Sequence, residues 1–518
     1  MGKGKDGDCT ISMMTMGIQD VLEGVRSLGL PAAYQVGGSV RDQILGQPLK
    51  DIDIAAAGLT PEELLSICNA AGKAEPLRVG QQLVGVRLWA DWAGPDGVEI
   101  ALLRTEQSTG SGHADFHIQP IPLPFEISAL PIQQRDDPRL WQEMVYQDAL
   151  RRDFTCNALF RDINSGEIID PLGGLGDLSK NQLRVVHPQS FQDDPLRLLR
   201  MMVRVSKNGM TIESETEMLA KKWASHLVMD GSSGAVSSER VQTEVVKILA
   251  GPNSSKAWGI MRDTGMISGI MPEWQECIGF EQQSKYHSLS VDQHILQALS
   301  HADREGFSED LKLAVLMHDI GKPRTAKPGK DGGLQYYGLK PNHPMWKTDP
   351  QRAQSHEQMG EEMTRHALNR MRFPAETTGQ VAYLVRHHMF SEEREFSERA
   401  QHKQDLLARR MLHRHGPERS ELLLQLRECD LAGKSQDKPG PLWNQDVQLL
   451  RQTIAQQKDN PYRLSHLAID GSRLQELGLQ PGPRTGDILN NLLKQVVGEP
   501  GLNTAERLDK MALVLIQA

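Results

Sequence analysis

Cysteine is scarce in this 518-residue chain, and its few copies lie far apart. The five cysteines, Cys9, Cys68, Cys156, Cys277 and Cys429, form no Cys-x-x-Cys pair. An odd and scattered set of this kind argues against both a disulfide framework and a cysteine zinc site. The pattern is typical of a reducing compartment, and we expect a cytoplasmic protein.

Long apolar runs and an excess of positive charge are missing as well. No uninterrupted apolar stretch approaches the ~20 residues that a bilayer span requires, so we expect no membrane partner. Lysine and arginine number 58 against 67 aspartate and glutamate residues, which gives a net charge of −9. This balance argues against a protein coated in positive potential, so a nucleic-acid partner has to meet a local basic surface.

The patterning changes along the chain, whose length implies three or four domains. Between Ala33 and Ile169, short apolar runs alternate with glycine and proline, which predicts strands in an α/β domain. Residues 107–142 are polar and rich in proline, and we predict a long loop there. From Pro195 onward, apolar residues recur at helical spacing, which predicts a mostly helical remainder. Twelve of the seventeen histidines lie between His287 and His415, so this part of the chain has a use for imidazole.

A glycine turn follows the first apolar run, in Val36-Gly37-Gly38-Ser39-Val40-Arg41-Asp42. Paired glycines allow a tight turn after a strand. Ser39 is placed to cap the following helix with Asp42 as its capping-box partner, and Gly46 ends that helix. A helix N-terminus that carries Arg41 in its first turn suits a triphosphate.

Two acidic residues follow at Asp51 and Asp53. On a strand, residues two apart leave the same face, while Ile52 and Ile54 enter the core. Two hard oxygen ligands on one face can bind Mg²⁺ and bridge it to substrate phosphates. The pair therefore predicts in-line attack on a phosphorus centre.

In order along the chain, these motifs resemble the class II nucleotidyltransferases, the family of CCA-adding tRNA nucleotidyltransferases and bacterial poly(A) polymerases. The resemblance covers roughly residues 34 to 205. Its further segments are Leu103-Arg104-Thr105-Glu106 with Ser111-Gly112, Arg151-Arg152-Asp153-Phe154-Thr155 with Asn157-Ala158-Leu159, Asp170-Pro171, Gly173-Gly174 and Asp177-Leu178. It implies a polymerase beta-like head with a mixed sheet.

The resemblance also implies roles for single residues. Asp51 and Asp53 become the catalytic metal ligands, and Gly38 and Arg41 hold phosphates. The nucleotide would be contacted or supported by Arg152, Asp153, Asn157 and Arg200.

The segment Asp193-Asp194-Pro195-Leu196-Arg197 resembles the family's Glu-Asp-x-x-Arg template for the incoming base. Asp194 and Arg197 are three residues apart in what we predict to be the first turn of a helix, so they point the same way. A carboxylate accepts from an exocyclic amine and a guanidinium donates to a ring nitrogen, a pattern that cytosine and adenine share. We therefore expect CTP and ATP to be accepted.

Two positions depart from the family pattern at this template. Asp193 stands where glutamate is usual. Val203 replaces an arginine, with Arg204 one place later, which leaves open which arginine beyond Arg200 reaches the nucleotide.

The histidine-rich part contains the doublet His318-Asp319, with His294 upstream and Asp430 downstream. These four positions resemble the HD phosphohydrolases, in which such a set binds a divalent metal. His356 and His388 are candidates for further ligands or for phosphate contacts. Imidazole with carboxylate suits Mn²⁺, Ni²⁺, Fe or Zn²⁺ better than Mg²⁺ alone. The resemblance implies a phosphatase or cyclic phosphodiesterase activity.

We therefore expect an α+β protein in five segments. They are a disordered N-terminus (1–20), a nucleotidyltransferase head (21–178), a helical neck and body with the base-recognition helix (179–280), an HD domain (281–435) and a helical tail (436–518). The expected function is template-independent addition of C and A to the 3′ end of tRNA, from CTP and ATP, with release of pyrophosphate.

Other functions remain open from the sequence. One alternative is an enzyme that adds only A or only CC, or a poly(A) polymerase. Another is mainly an HD phosphohydrolase with a degenerate nucleotide-binding head. The oligomeric state is open too, a homo-oligomer included.

Overall fold

The computed structural model of the chain describes residues 8–49, 52–108, 116–229, 236–283, 288–329, 332–390, 392, 395–434 and 443–517. The chain forms two compact units. Unit 1 comprises Met1–Glu244 and Thr264–Ile270, and unit 2 comprises Val245–Asp263 and Met271–Ala518. The finer division into five segments stays a prediction. Among the described helices, none combines the length and the apolar character needed to cross a membrane.

Unit 1 is built on a mixed sheet. The strands of unit 1 are β1 (Ala32–Val36), β2 (Asp53–Ala57), β3 (Lys73–Val79), β4 (Gln82–Trp89), β5 (Val98–Leu102), β6 (Arg104–Ser108), β7 (Phe116–Pro120), β8 (Phe160–Asp162), β9 (Ile168–Ile169), β10 (Gln182–Leu183) and β11 (Thr211–Ile212). Seven of them pair in the order β3-β4-β5-β2-β1-β8-β9. Strand β2 is parallel to β5, and the other pairs in this sheet are antiparallel. The predicted mixed sheet is confirmed.

The helices up to residue 270 are α1 (Asp8–Ser27), α2 (Gly38–Ile44), α3 (Pro61–Ala71), α4 (Phe125–Ser128), α5 (Pro138–Leu150), α6 (Gly174–Ser179), α7 (Ser190–Asp193), α8 (Leu196–Asn208), α9 (Ser214–Trp223), α10 (Ser238–Leu249), α11 (Ser254–Thr264) and α12 (Ile267–Ile270). Of these, the end of α10 and nearly all of α11 belong to unit 2.

Apolar side chains cover both faces of the sheet. On β2, Ile54 packs in a core cluster with Leu64 of α3, whereas Ala55 packs in a second cluster with Val145 of α5. Successive strand residues point to opposite faces, so the odd-numbered positions of β2 face α5. Asp53, the first residue of β2, is exposed at this end of the strand.

We expect disorder over residues 1–20, of which residues 1–7 lie outside the described part of the chain and residues 8–20 belong to α1, which begins at Asp8. Ile18, Val21, Leu22 and Val25 recur at helical spacing and join the core cluster on the α3 side. Burial of this apolar stripe stabilises a helix that the polar first residues do not suggest.

The stretch 107–142, predicted as a long loop, is also more ordered than expected. Strands β6 and β7 pair as an antiparallel hairpin, and α5 begins at Pro138. Asp137 caps α5 by accepting a hydrogen bond from the backbone N–H of Leu140 at 3.0 Å. Proline at the first helical position starts a helix, so composition alone misled the prediction. Ser111 and Gly112 lie outside the described residues.

Unit 2 is mostly helical, as predicted, and its short strands are β12 (Lys327–Pro328) and β13 (Leu334–Gln335). Its further helices are α13 (Pro272–Gln275), α14 (Val291–Arg304), α15 (Glu309–Met317), α16 (Lys322–Thr325), α17 (Met345–Thr348), α18 (Pro350–Ala353), α19 (His356–Arg370), α20 (Ala375–His387), α21 (Gln401–Ala432), α22 (Trp443–Gln457), α23 (Gly471–Glu476), α24 (Arg484–Gly498) and α25 (Ala505–Gln517). Seven consecutive residues of α15, from Leu311 to Met317, are buried.

Candidate functional site

The glycine turn lies between β1 and α2. Gly37 is the residue before the helix, with φ 71° and ψ −133°, a conformation that side chains strongly disfavour. A Cβ at this position would lie 2.9 Å from Nη1 of Arg152. Glycine is therefore required here both by the backbone and by the close approach of the arginine.

The predicted capping box at this turn is wrong. Helix α2 starts at Gly38, so Ser39 lies inside it, and its hydroxyl donates to the carbonyl of Val36 at 2.9 Å. Asp42 accepts from Nε of Arg41 at 2.7 Å instead of capping the helix. Because no side chain among the described residues caps α2, its first N–H groups are suited to an anion.

The acidic pair is described only at Asp53. Asp51 lies outside the described residues, so its placement beside Asp53 stays a prediction. Asp53 stands opposite Glu99 in the parallel pairing of β2 with β5. Glu99 alternates with the buried Val98 and Ile100, so it shares the face of Asp53. Its carboxylate, which the sequence reasoning missed, is paired with Arg87.

The Arg-Arg-Asp motif is organised by a buried carboxylate, Asp148. Its oxygens accept from Nε of Arg151 at 2.8 Å, from Nη2 of Arg152 at 2.8 Å and from the backbone N–H of Arg104 at 3.2 Å. Burial raises the pKa of Asp148, but the charges of Arg151 and Arg152 outweigh it and lower the pKa to about 2. Asp148 was missed, although its position three and four residues before the two arginines, near the end of α5, was a readable signal.

A continuous chain of contacts joins four of the predicted site residues. Arg41 donates to the side-chain oxygen of Asn157. The amide of Asn157 donates to Oδ1 of Asp153 at 2.8 Å, and Oδ2 of Asp153 pairs with Nη2 of Arg200 at 2.9 Å. The structure thus brings the glycine-turn helix, the Arg-Arg-Asp motif and α8 together.

Asp194 and Arg197 are close in sequence but lie differently from the prediction. Helix α8 begins at Leu196, so Asp194 precedes it, separated by Pro195, whereas Arg197 lies in the first turn. Proline cannot follow a residue in helical conformation without a clash, which explains the extended backbone of Asp194. Oδ1 of Asp194 accepts from the N–H of Leu196 at 3.1 Å.

The side chains of Asp194 and Arg197 are both buried, and each is fixed by a contact with another arginine residue. Oδ2 of Asp194 pairs with Nη2 of Arg240 at 3.1 Å, a partner that the sequence reasoning missed. Nη2 of Arg197 donates to the carbonyl of Arg151 at 2.7 Å. Nη1 of Arg197 is buried and has no hydrogen-bond partner among the described residues. A fixed guanidinium with an unused donor is suited to a ligand atom.

The third arginine of α8 is Arg204. Positions 197, 200 and 204 follow each other at three- and four-residue spacing and share one helix face, whereas Val203 is buried in the core. Burial and the charge of Arg41 lower the pKa of Arg204, while Asp42 and Asp153 raise it. Arg204 and Arg200 therefore both interact with the charge of Asp153.

In unit 2, the predicted HD residues converge in the interior. His294 lies on α14, His318 directly follows α15, and Asp430 lies near the end of α21. Nε2 of His294 is 3.1 Å from Nε2 of His318 and 3.2 Å from Oδ1 of Asp430. Oδ2 of Asp319 is 3.3 Å from Nε2 of His318. The four predicted ligands are all buried.

A second group adjoins the first. His356 begins α19 and His388 directly follows α20, and their Nε2 atoms lie 3.3 Å apart. Oδ1 of Asp319 is 3.6 Å from Nε2 of His356 and 3.8 Å from Nε2 of His388. Three-residue sets that could hold a metal ion are thus His294, His318 and Asp430, and Asp319, His356 and His388.

The Nδ1 atoms of three of these histidines, His294, His318 and His388, contact backbone carbonyls. Nδ1 of His318 is 2.7 Å from the carbonyl of Val315, and Nδ1 of His388 is 2.7 Å from that of Val385. Nδ1 of His294 is 2.9 Å from the carbonyl of Gly433, where a Cβ would lie 2.8 Å from that nitrogen. Such contacts make Nδ1 the donor and leave Nε2 as a bare ligand, as in metal sites.

Buried cations accompany the two aspartates. Nζ of Lys322 pairs with Oδ2 of Asp319 at 2.6 Å, and Nη1 of Arg427 pairs with Oδ2 of Asp430 at 2.5 Å. Burial raises the pKa of Asp430, but the nearby charges of Lys434 and Arg427 hold it well below its usual range. Ionised carboxylates and bare imidazole nitrogens fit a divalent ion.

Three family models match the chain in this order. One described as Poly A polymerase head domain matches residues 33–184, one described as Probable RNA and SrmB- binding site of polymerase A matches 209–278, and one described as HD domain matches 285–430. The first and last domains, with the clustered ligands of unit 2, imply that the protein depends on divalent metal ions.

Solved structures with the same fold include CCA-adding enzymes. The Bacillus stearothermophilus CCA-adding enzyme in complex with CTP is 20% identical, with a TM-score of 0.58 over 96% of this chain and 97% of that one. The Thermotoga maritima CCA-adding enzyme complexed with tRNA is 18% identical, with a TM-score of 0.55 over 96% and 95%. At these identities the likeness establishes the fold.

Two curated relatives are described as multifunctional CCA proteins. The multifunctional CCA protein of Azoarcus is 28% identical over 78% of this chain and 85% of its own length. That of Methylobacillus flagellatus is 30% identical over 357 residues, which is 68% of this chain and 73% of the relative. The chain therefore belongs to the family of multifunctional CCA proteins.

Proposed function

We propose that unit 1 adds C and A to the 3′ end of tRNA, using CTP and ATP and releasing pyrophosphate. The observation that carries this proposal is the contact chain from Arg41 through Asn157 and Asp153 to Arg200. It joins the glycine turn, which suits phosphates, to α8, which carries Arg197 of the base template and is preceded by Asp194. A single nucleotide can therefore be held at both of its ends.

The acidic residues supply the metal site of this proposal. Asp51 and Asp53 would hold Mg²⁺, with Glu99 on the same face as Asp53. The ion would neutralise charge on the triphosphate during in-line displacement. In that step, the terminal 3′ oxygen of tRNA forms a bond to the α-phosphorus, and the bond from that phosphorus to pyrophosphate breaks. Gly38 and Arg41 bind and orient the phosphates, and Arg204 adds a cation.

The base is selected by Asp194 and Arg197. Nη1 of Arg197 is a buried donor without a partner in the described chain, so it can donate to N3 of cytosine or N1 of adenine. The carboxylate of Asp194 accepts from the exocyclic amine of either base. Uracil and guanine present the reverse pattern and would leave these buried groups unpaired, at about 1–3 kcal/mol each.

The test is incorporation of labelled CTP and ATP into three forms of tRNA: ending before CCA, ending after CC, and complete. Incorporation of both nucleotides into the shortest form, and none into the complete form, supports the proposal. ATP use only after CC would select the A-adding alternative, CTP use alone the CC-adding one, and long A tails on any RNA a poly(A) polymerase.

We further propose that unit 2 hydrolyses phosphoesters with a transition metal. The convergence of His294, His318 and Asp430 on one point in the interior supports this second activity. The test is release of phosphate from nucleoside monophosphates and opening of 2′,3′-cyclic nucleotides, with Mn²⁺, Ni²⁺, Fe²⁺, Zn²⁺ or Mg²⁺ added back after chelation. No hydrolysis with any of these ions would contradict it.

A further inference from the structure

Three rings of unit 2 meet outside the HD centre. The ring of Tyr383 on α20 lies 4.4 Å from that of His387 and 5.9 Å from that of His415 on α21. The phenol oxygen of Tyr383 is 2.6 Å from Nδ1 of His415, and this contact fixes the two rings. Tyr383 and His387 are half-buried. The ring group is therefore partly open to solvent, and neither activity proposed above uses it.

A break in α21 lies beside these rings. Gly416 has φ 73° and ψ 171°, and Pro417 follows it, so the helical backbone is interrupted there. The segment after α22 approaches the break, because Nη2 of Arg463 would lie 3.6 Å from a Cβ at Gly416. Nδ1 of His413 is 3.1 Å from the carbonyl of Tyr462. The break therefore brings together side chains from three separate parts of the chain.

Two arginines at the break are stacked on tyrosine rings. Cζ of Arg419 lies 4.2 Å from the ring centroid of Tyr383, and Cζ of Arg463 lies 5.2 Å from that of Tyr462. Both arginines are exposed, and neither forms an ion pair or a side-chain hydrogen bond with a residue that the structure describes. Stacking orients a guanidinium while its N–H groups stay free to donate.

Two further arginines adjoin the stacked pairs. Arg386 lies three residues after Tyr383 on α20 and therefore shares its helix face. Its Nε is 3.5 Å from Oε2 of Glu361, and Nη1 of Arg414, before the break, is 2.8 Å from Oε1 of Glu392. We call six residues the break surface: Tyr383, Arg386, Arg414, Arg419, Tyr462 and Arg463.

The break surface is positively charged although the chain as a whole is negative. Its four arginines outnumber the carboxylates beside them, which are Glu361, Glu392 and the exposed Glu418. The whole chain has a net charge of −9. A nucleic-acid partner of an acidic protein has to meet a local basic surface of this kind.

We propose that the break surface binds the phosphate backbone of RNA. Arginine donates two parallel N–H bonds to phosphate oxygens, and bases stack on aromatic rings and guanidinium planes. An acidic protein partner would pair with the arginines but would leave the ring faces unused. The family model described as a probable RNA-binding site ends at residue 278, so this contact lies outside it.

The test measures binding of tRNA that ends before CCA to the full chain. Nucleotides are left out, so no incorporation takes place. Fluorescence anisotropy gives the Kd at several salt concentrations. We expect Arg419→Ala and Arg463→Ala each to raise the Kd roughly three- to tenfold and to lower the slope of log Kd against log salt by about one. An unrelated RNA of equal length should respond in the same way, because backbone contacts do not read sequence.

Arg473→Ala is the matched control. Arg473 is also exposed, but it pairs with Glu476 at 2.6 Å and with Asp509 at 2.8 Å. The control removes the same charge and should leave both the Kd and the salt slope unchanged. Arg419→Lys keeps the charge without the planar fork and should recover only part of the affinity. Circular dichroism and the melting temperature show whether each variant is folded.

Hydrogen exchange then locates the contact. tRNA should protect peptides that contain Arg419 and Arg463, whereas ATP alone should not. An unchanged Kd in the folded Arg419→Ala/Arg463→Ala variant, or protection by ATP but not by tRNA, would overturn the proposal. An equal rise in Kd for Arg473→Ala would overturn it too, since total charge would then attract the RNA. Binding is measured without any reaction, so failure of either proposed activity leaves this result unaffected.

Discussion

The two candidate centres place their ligands in opposite environments. In unit 1, Asp53 is exposed at the beginning of a strand, and the expected ligands are all oxygens. In unit 2, His294, His318, Asp319 and Asp430 are buried and touch one another. Mg²⁺ is usually completed by substrate phosphates and water, whereas a buried set of imidazoles holds a resident ion. The comparison predicts a metal that arrives with nucleotide in one centre and a permanent metal in the other.

The largest effect should come from removing one ligand in each centre. Asp53→Ala should reduce nucleotide incorporation by about 1,000-fold or more, because several kcal/mol of charge stabilisation at phosphorus is lost. His318→Ala should reduce phosphoester hydrolysis to a similar extent. Each variant should retain the other activity, measured on the same preparation.

This crossed pattern is the sharpest check on two separate centres. Retained activity in the unaffected assay shows that the variant is folded, so each assay controls the other. Loss of both activities in either folded variant would mean that the centres are not independent.

Chelation should distinguish the two units next most strongly. A ligand present at 100 times its Kd stabilises a fold by about 2.7 kcal/mol, so EDTA should lower the melting temperature of unit 2 by several degrees. Unit 1 should be unchanged without nucleotide. Hydrogen exchange measured on individual peptides reports the stability of each unit in the same experiment. If EDTA lowered protection equally in both units, the predicted difference between the two centres would be contradicted.

Base selection in unit 1 should respond to Arg197→Ala by about 10- to 100-fold. Loss of the buried donor removes the penalty for the wrong base, about 1–3 kcal/mol. The ratio of kcat/KM for CTP to that for UTP should fall toward one, while total incorporation falls less. A preserved ratio would exclude Arg197 from the template.

The sequence was sufficient to predict those parts of each centre that depend on residues close together in the chain. The glycine turn and the helix-ending Gly46 could be read from spacing, and Gly46 has φ 65°. The HD doublet at the end of an apolar helix was also found, and the four residues predicted as ligands do converge. By contrast, the prediction of Ser39 as the cap was wrong, because Gly37 takes the positive φ and the helix begins at Gly38, two residues earlier than a Ser39 cap would place it.

Contacts between residues that are far apart in the sequence could not be predicted in this way. Arg41 meets Asn157 across 116 positions, and Arg240 meets Asp194 across 46. The second histidine group needs His356 and His388, 32 residues apart, to reach one oxygen of Asp319. Such pairs depend on how the helices pack, which a period of 3.6 residues does not determine.

The smallest predicted effect is the change in folding stability as the pH falls. In unit 1, the pKa of Asp148 is about 2 in the folded state, below its unfolded value of about 3.9. The contribution of Asp148 to folding stability is therefore complete above pH 4 and is lost only as the pH falls toward 2.

In unit 2, burial and the nearby His387 lower the pKa of His415 to about 4. Its unfolded pKa is about 6.5, so the unfolded state binds the extra proton first, and stability falls as the pH drops from 6.5 to 4.

Metal-free protein should therefore lose hydrogen-exchange protection in unit 2 between pH 7 and 5, by at most about 1.4 kcal/mol per pH unit for each histidine. Protection around Asp148 should not change over this range. His415→Gln removes one titrating group without touching the HD ligands, so the decline in unit 2 should become shallower. If wild type and His415→Gln lose protection at the same rate, burial of His415 does not make unit 2 acid-sensitive, and the contrast with unit 1 rests on metal alone.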